Sequence, residues 1–336
     1  MKVLTIGDLH FSTNNVIEMD IISDKIIRKV KEINPEFTVL LGDTLDRFAI
    51  FHTTPYNRAN KFLEKLVDIT KVYLLIGNHD IKTNDEFLSD EHPFNPHKLW
   101  RNIKIIDKPY LEEIKEFTFS FVPYVPKGRF MEALDFIPNW NKSKCIFAHQ
   151  EFKGSCMNNL VSLNGDEWKK EYPLCVSGHI HNYSEISENM IYVGTPLQHK
   201  FDESINKTIS LFDFSSVKFS HQRISLNPPL KIESKVTIDT IKDFNLDFNH
   251  MNKVNLCGTL GEVKSMLKHP NVIKWRRNKV KIGQIIKQEN IKNEDYNNEL
   301  VDLITKKSFI ETFKFKLSNN NKKLYDYFIT EFGDFQ

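Results

Sequence analysis

The chain has 336 residues, 40% hydrophobic and 27% charged, which is typical of a soluble globular protein with one large domain and a smaller addition. No apolar stretch reaches the roughly 18 residues of a membrane span, and the chain starts with a strand-like segment, so we expect neither a membrane helix nor a signal peptide. The cysteines show no CxxC spacing, which argues against a thiolate zinc site and predicts buried, reduced thiols in a cytoplasmic protein.

The net charge of +2 is unevenly distributed. Residues 1–230 carry 27 basic against 30 acidic side chains, a net of −3, while residues 231–336 carry 19 against 14, a net of +5. Between Lys253 and Lys287 there are nine basic residues and one acid, Glu262. Such a cluster is typical of a solvated surface, and its alternative is a binding surface for a polyanion such as DNA.

Short apolar runs alternate with segments of helical period along the first part of the chain. Strands are predicted at residues 3–6, 38–42 and 72–77, with helices at 20–33 and 57–69 between them. This order predicts an α/β sheet whose nearly all-apolar strands are buried on both faces. Further strands are predicted at residues 117–124, 144–149, 173–178, 190–195 and 208–214.

The paired prolines of NPPL (residues 227–230) predict a domain boundary. We therefore divide the chain into a large domain at 1–228, a small domain at 229–283 and a helical tail at 284–336. The small domain is predicted as a strand at 253–259, a helix at 261–269 and a strand at 271–281.

Five of the apolar runs end in side chains that can bind a metal. In chain order these are Asp8 and His10, Asp43, Asn78 and His79, His149, and His179 and His181. Because ligands bind beyond the carboxyl ends of the strands in open α/β sheets, we expect these residues to meet in one crevice.

The residue types narrow the chemistry of the predicted site. Imidazole, carboxylate and carboxamide groups without thiolate suit Mn, Fe, Ni, Co or catalytic Zn. Asp43, in the middle of the ligand order, is the natural bridge between two cations, which together can clamp a phosphate and generate hydroxide. A lone histidine is more often a surface or core residue, but five such strand ends in one chain favour a metal site.

At this point a family resemblance becomes visible. The motifs GDLH, GDTLD, GNHD, AHQE and GHIH look like the five signature motifs of the calcineurin-like metallophosphoesterase superfamily. The segment MIYVGTPLQHKFDES further resembles the SbcD branch, the nuclease subunit of a DNA double-strand-break processing complex with phage-encoded relatives. The resemblance covers about residues 1–225 and implies a four-layer α-β-β-α sandwich, with a small α/β capping domain and C-terminal helices.

The resemblance also implies how the ligands are shared. One divalent metal ion would be held by Asp8, His10, Asp43 and His181. The other would be held by Asp43, Asn78, His149 and His179. Mn²⁺ is expected, with Fe, Mg, Ni, Co or Zn as alternatives. His79 would contact the scissile phosphate and act as an acid, for which imidazole is suited near neutral pH.

Three further residues of the GDTLD and GNHD motifs leave alternatives open. Asp46 is expected to orient His79 and is otherwise a solvated loop carboxylate. Arg47 is either a phosphate contact or an exposed arginine. Asp80 is interpreted as the cap of the following turn.

The resemblance implies a metal-dependent DNA exonuclease and endonuclease of repair and recombination, located in the host cytoplasm if phage-encoded. Its expected partners are DNA, an SbcC-type coiled-coil ATPase and a second copy of the chain. No association with a membrane is expected. A basic strand with Trp275, Arg276, Arg277, Lys279 and Lys281 is proposed to contact DNA, or is a plain surface strand. The aromatic tail either docks the ATPase or packs on the body. Open alternatives are a phosphatase or nucleotidase of the same superfamily, and a non-enzymatic scaffold on this fold.

Overall fold

The computed structural model describes residues 1–47, 50, 52–157, 160–216 and 218–287. The strands are β1 Lys2–Ile6, β2 Phe37–Leu40, β3 Lys71–Leu75, β4 Ile103–Ile106, β5 Tyr110–Ile114, β6 Phe117–Val122, β7 Cys145–His149, β8 Cys156–Met157, β9 Leu160–Val161, β10 Leu174–Gly178, β11 Ser184–Ser187, β12 Met190–Tyr192, β13 Ile209–Asp213, β14 Ser220–Ile224, β15 Lys231–Val236, β16 Met251–Gly258 and β17 Lys281–Ile286. The helices are α1 Val16–Ile33, α2 Thr53–Val67, α3 Phe130–Leu134, α4 Leu260–Met266 and α5 Pro270–Arg277. From residue 288 on, the predicted helical tail with its aromatic residues lies outside the described residues.

Two six-stranded sheets form the main body. The first sheet has the order β14-β13-β1-β2-β3-β4 and the second has the order β11-β12-β10-β7-β6-β5. Strands β1 to β4 run parallel, as do β12, β10, β7 and β6, and antiparallel strands flank both groups. The parallel centre of each sheet brings the carboxyl ends of its strands to one edge.

The two sheets pack face to face, with helices on the outer side of the first sheet. Phe37 and Val39 of β2 lie in the core between the sheets, whereas Leu40 packs in the core that includes both α1 and α2. Helix α1 buries Met19, Ile22 and other residues at three- and four-residue spacing against that side. The predicted α/β sandwich is thus confirmed, although among the described residues its fourth layer, over the second sheet, consists of the five-residue α3, the 3-10 helix Trp140–Lys142 and irregular segments.

A third, three-stranded sheet of order β15-β16-β17 follows the predicted boundary, and it has its own core. The prediction of a strand at residues 271–281 is wrong, because helix α5 and a turn occupy most of this range. His269 caps the helix and Pro270 occupies its first turn, while Val272 and Trp275 lie three residues apart on its buried face. Trp275 is 2% exposed, so a basic strand presenting this ring to DNA does not exist.

The sequence also predicts that the cysteines are buried, reduced thiols and that no helix spans a membrane. Cys145, Cys175 and Cys257 are buried free thiols, but Cys156 is exposed at the start of the short hairpin β8–β9. No helix within the described residues is both long and apolar enough to span a membrane.

Candidate metal centre

The predicted ligands follow neighbouring parallel strands of the two large sheets. Asp8, Asp43 and Asn78 come two to three residues after β1, β2 and β3 of the first sheet. His149 is the last residue of β7, and His179 directly follows β10, in the second sheet. The candidate site is therefore built from both sheets at the edge where their strands end.

Two groups of possible ligand atoms share one residue. Asp8, His10 and Asp43 form one group and Asp43, His149 and His179 form the other, with the atoms of each group within 4.8 Å of one another. One oxygen of Asp43, Oδ2, lies 3.6 Å from Nε2 of His10 and 3.4 Å from Nε2 of His149. Asp43 thus has the position of a bridging carboxylate.

Asn78 and His181 extend these two groups. The Asn78 Oδ1 atom lies 3.0 Å from Nε2 of His149 and 2.9 Å from Nδ1 of His179. On the other side, Nε2 of His181 lies 3.1 Å from Nε2 of His10. Each group thereby converges oxygen and imidazole nitrogen atoms on one point, and this donor set suits divalent cations. The residues present fit two such ions.

Hydrogen bonds to the main chain fix the orientation of the ligands. Nδ1 of His149 donates to the carbonyl of Leu41 at 2.6 Å, which leaves Nε2 free to bind a metal. The backbone N–H of His179 donates to both carboxylate oxygens of Asp8, at 2.9 and 3.1 Å. The N–H of His79 donates to Oδ1 of Asp43 at 2.8 Å, so Oδ2 of Asp43 stays available for the centre.

The backbone around the centre is strained. Asp8, His10, Asp43 and His179 all have positive φ angles, of 22°, 45°, 47° and 81°. Non-glycine residues in such conformations each cost on the order of 1–3 kcal/mol and cluster at functional sites. Gly42 has φ +97°, and a Cβ atom there would lie 2.4 Å from Nδ1 of His149. Only glycine lets the loop after β2 pass this close to the ligand.

Burial and the attraction between opposite charges together determine the protonation of the candidate ligands. Burial lowers the pKa of His10 well below the usual value and that of His179 to about 3, so both are neutral, and it raises the pKa of Asp8 to about 6. Burial opposes charge on His149 and Asp43 too, but their mutual attraction raises the pKa of His149 to about 9 and holds that of Asp43 well below its ordinary value. A cation entering the site therefore displaces the proton of His149.

His79 and Asp46 meet, but through the backbone. Nδ1 of His79 lies 2.6 Å from the main-chain carbonyl oxygen of Asp46. The Asp46 carboxylate lies with Oδ1 3.7 Å from Nδ1 of His10. The main-chain carbonyl of Asp46 thus orients the His79 ring, and a role of the Asp46 side chain stays a prediction.

Asp80 has a larger part than capping a turn. Its buried carboxylate accepts hydrogen bonds from the backbone N–H groups of Thr44, Leu45 and Gly77, at 3.2, 2.9 and 3.0 Å. Burial, aided by the charge of Asp43, raises its pKa to about 7. Asp80 joins the loops after β2 and β3, which sequence reasoning missed because the contacts lie more than thirty residues apart.

The two groups open on a cavity of about 260 Å³ that His79 and Asp46 also line. Its wall includes His199, Lys200 and Glu203 of the segment QHKFDES, as well as Met157. Nε2 of His199 lies 3.0 Å from the carbonyl oxygen of Asp8. This segment belongs to the stretch that resembles the SbcD branch, and no local pattern in it predicts a role for these three residues.

The predicted DNA contacts lie away from this cavity or at its border. Arg47 is exposed and lines a neighbouring cavity of about 290 Å³ together with His79. Arg276, Arg277 and Lys279 are exposed on and after α5. Contact of these four exposed residues with DNA therefore stays a prediction.

The fold and the paired ligand groups define an α/β protein with a candidate dinuclear metal centre. A sequence model of the calcineurin-like phosphoesterases matches residues 1–211. The chain belongs to this family, whose members use divalent metals.

The chain is similar to two viral proteins and to several solved structures, one of them from Plasmodium. "Putative phosphoesterase 244L" of Invertebrate iridescent virus 6 is 39% identical, covering 73% of this chain and 87% of that protein. "Putative phosphoesterase 078R" of Invertebrate iridescent virus 3 is 34% identical, covering 78% of each. The structure of GAP50, the anchor in the inner membrane complex of Plasmodium, is 13% identical with a TM-score of 0.45, covering 68% of this chain and 85% of that one.

Proposed function

We propose that the chain is a two-metal DNA phosphodiesterase, with exonuclease and endonuclease activity, that acts in double-strand-break processing and recombination. The observation that carries the hydrolytic part is the position of Asp43, whose Oδ2 lies between His10 and His149 at 3.6 and 3.4 Å. Pairs of cations that share a carboxylate in this way are suited to in-line displacement at phosphorus.

The ligands divide between two cations, for which Mn²⁺ is the first candidate. One set is Asp8, His10, Asp43 and His181, and the other is Asp43, Asn78, His149 and His179. When bound, two such ions supply Lewis-acid stabilisation of the phosphate and lower the pKa of water. Asp8 and Asp43 leave the pair of ions with an excess of positive charge, which favours an anionic phosphodiester.

His79 is the group that handles the proton of the leaving oxygen. Its ring lines the metal cavity, and its centroid lies 4.8 Å from that of His10. The contact between Nδ1 and the Asp46 carbonyl at 2.6 Å orients the ring, so Nε2 is the nitrogen that faces the substrate. Proton transfer from Nε2 to the departing ribose oxygen is general-acid catalysis.

A second cavity next to the centre supports a nucleic-acid substrate. It measures about 540 Å³ and shares Asp46, His199 and Lys200 with the wall of the metal cavity. Its other lining residues include Phe201, the acidic Asp202 and Glu233, and one lysine from each strand of the third sheet, namely Lys231, Lys253 and Lys281. Lys231 is buried beside Glu18 and Lys253 pairs with Glu233, whereas Lys200 and Lys281 are exposed. Lysines bind backbone phosphates, and an aromatic ring can stack on a base. Arg47, Arg276, Arg277 and Lys279 are proposed as additional, weaker phosphate contacts.

We propose an SbcC-type coiled-coil ATPase and a second copy of the chain as protein partners. The proposal for the ATPase depends on the aromatic tail, and a chain ending at residue 287 tests it. Loss of ATPase binding with intact metal-dependent hydrolysis would support docking by the tail. Global unfolding of the shortened chain would instead show that the tail packs on the body.

The substrate is tested directly with the purified chain and Mn²⁺. Linear duplex DNA, single-stranded DNA, a phosphopeptide and a nucleotide monophosphate are incubated separately, and the products are separated and quantified. Cleavage of DNA with little turnover of the other two supports the nuclease. Turnover of only the phosphopeptide or the nucleotide would replace it by a phosphatase or nucleotidase, and no turnover with both ions bound would favour the scaffold.

A further inference from the structure

A buried carboxylate contacts Nδ1 of His181, the ring nitrogen that does not face His10. This nitrogen lies 2.9 Å from Oε1 of Glu203, and the Glu203 side chain is 1% exposed. Because Glu203 accepts at Nδ1, the His181 ring carries its proton there and turns Nε2 toward His10, 3.1 Å away. Glu203 is more than twenty residues beyond GHIH and belongs to none of the five motifs.

Glu203 is itself fixed from two directions. Its Oε2 accepts hydrogen bonds from the N–H of His199 at 2.9 Å and from Nζ of Lys207 at 2.9 Å. Lys207 is 2% exposed, and its Nζ also donates to the carbonyl of His181 at 2.8 Å. The imidazole, the carboxylate and the ammonium group therefore form one buried unit with little freedom to turn.

Gln198 connects this unit to the third sheet. Its side chain is buried, and Nε2 donates to the carbonyl of Glu203 at 3.0 Å and to that of Lys231 at 3.3 Å. Its Oε1 accepts from the N–H of Lys231 at 2.8 Å, so one carboxamide holds both backbone groups of the first residue of β15. A continuous path of hydrogen bonds thus runs from β15 through Gln198 and Glu203 to His181.

We propose that Glu203 is the positioning residue of the candidate ligand His181, and that Gln198 makes this positioning depend on the place of β15. The inference rests on the metal centre of the proposed function. Groups that orient a ligating histidine typically change metal affinity about 10- to 100-fold when they are removed. Only the ion that contacts His181 should be affected, because the other group is oriented separately through Leu41 and Asn78.

The test is a titration of the full chain with Mn²⁺ in the absence of substrate. Calorimetry measures the affinity of each site, and electron paramagnetic resonance detects the coupled ion pair. Glu203→Leu should weaken one of two sites by about 10- to 100-fold, so that the coupled signal appears only at correspondingly higher Mn²⁺ concentration, with the other site unchanged. Glu203→Gln keeps an acceptor for Nδ1 of His181 and should restore much of the affinity. Gln198 acts on His181 only through Glu203 in this path of hydrogen bonds, so Gln198→Met should weaken the same site by a smaller factor.

Asp107→Leu is the matched control. Asp107 also lies between a histidine and a lysine, His92 and Lys98, but His92 belongs to neither ligand group. It should leave both sites unchanged. Equal weakening by Asp107→Leu and Glu203→Leu, or wild-type binding by Glu203→Leu, would overturn the positioning role. Should Glu203→Leu fail to fold, Gln198→Met takes its place: weaker binding at one site than in Asp107→Leu supports the proposal, and equal binding refutes it. A wild-type chain that binds fewer than two ions would instead overturn the proposed centre itself.

Discussion

Replacing His79 by alanine separates the chemistry of the centre from its assembly. The main-chain N–H of residue 79, which donates to Oδ1 of Asp43 at 2.8 Å, survives in His79→Ala, so the bridging carboxylate keeps its orientation and both ions should stay bound. The loss is then confined to the imidazole. General-acid catalysis is typically worth about 10²- to 10⁴-fold, which raises the barrier by about 3 to 5 kcal/mol.

The assay is steady-state cleavage of linear duplex DNA with Mn²⁺, together with the metal content of the purified protein. We expect kcat to fall by about 10²- to 10⁴-fold, with KM and the metal content close to wild type. His250→Ala, in the small domain, controls for the loss of an imidazole as such. A His79→Ala protein without metal would place His79 among the ligands, and a decrease below tenfold would show that another group supplies the proton.

Four other predictions follow from the structure. His179→Ala and His181→Ala should each retain about one Mn²⁺, measured by metal analysis, and the double variant none, because the two side chains belong to different ligand groups. Gly42→Ala should lower the melting temperature and weaken metal binding, since its Cβ would lie 2.4 Å from a ligand nitrogen at φ +97°. Trp275→Ala should reduce the free energy of unfolding in urea by about 3–5 kcal/mol. A folded Trp275→Phe variant that loses DNA binding as completely as Trp275→Ala would contradict a role in the core alone. Burial lowers the pKa of His97, so below a pH of about 6.5 the unfolded chain binds the proton more readily than the folded chain, and the free energy of unfolding decreases as the pH is lowered. In His97→Gln, the free energy of unfolding should decrease less between pH 7.5 and 5.5, and a pH dependence equal to wild type would refute this.

The sequence predicted the parts of the molecule that depend on local pattern. Runs such as VLTI and KCIFAH are almost entirely apolar because both faces of the parallel strands are buried, and the polar residues that end them mark the edge of the sheets. From those ends, the meeting of Asp8, Asp43 and His149 could be expected. Short or polar flanking strands such as β5 and β14 carry no such pattern and were missed.

Contacts made only in three dimensions could not be predicted. Asp80 binds the backbone of residues 44 and 45, and Glu203 binds His181, across loops whose approach no local pattern indicates. The misassigned segment at α5 has a different cause. Val272, Ile273 and Val280 have a high strand propensity, but the cap at His269 and the burial of Trp275 on a helical face decide in favour of the helix.

The origin of the ligands from both sheets has a consequence for biosynthesis. Asp8, His10, Asp43 and Asn78 leave the ribosome first, whereas His149, His179 and His181 follow only while the second sheet is being translated. Because domains fold as units during synthesis, a nascent chain that ends before residue 179 lacks one proposed ligand of each of the two sets. Metal binding at the proposed centre would therefore be a late event, and it would mark those molecules in which the two sheets have already docked.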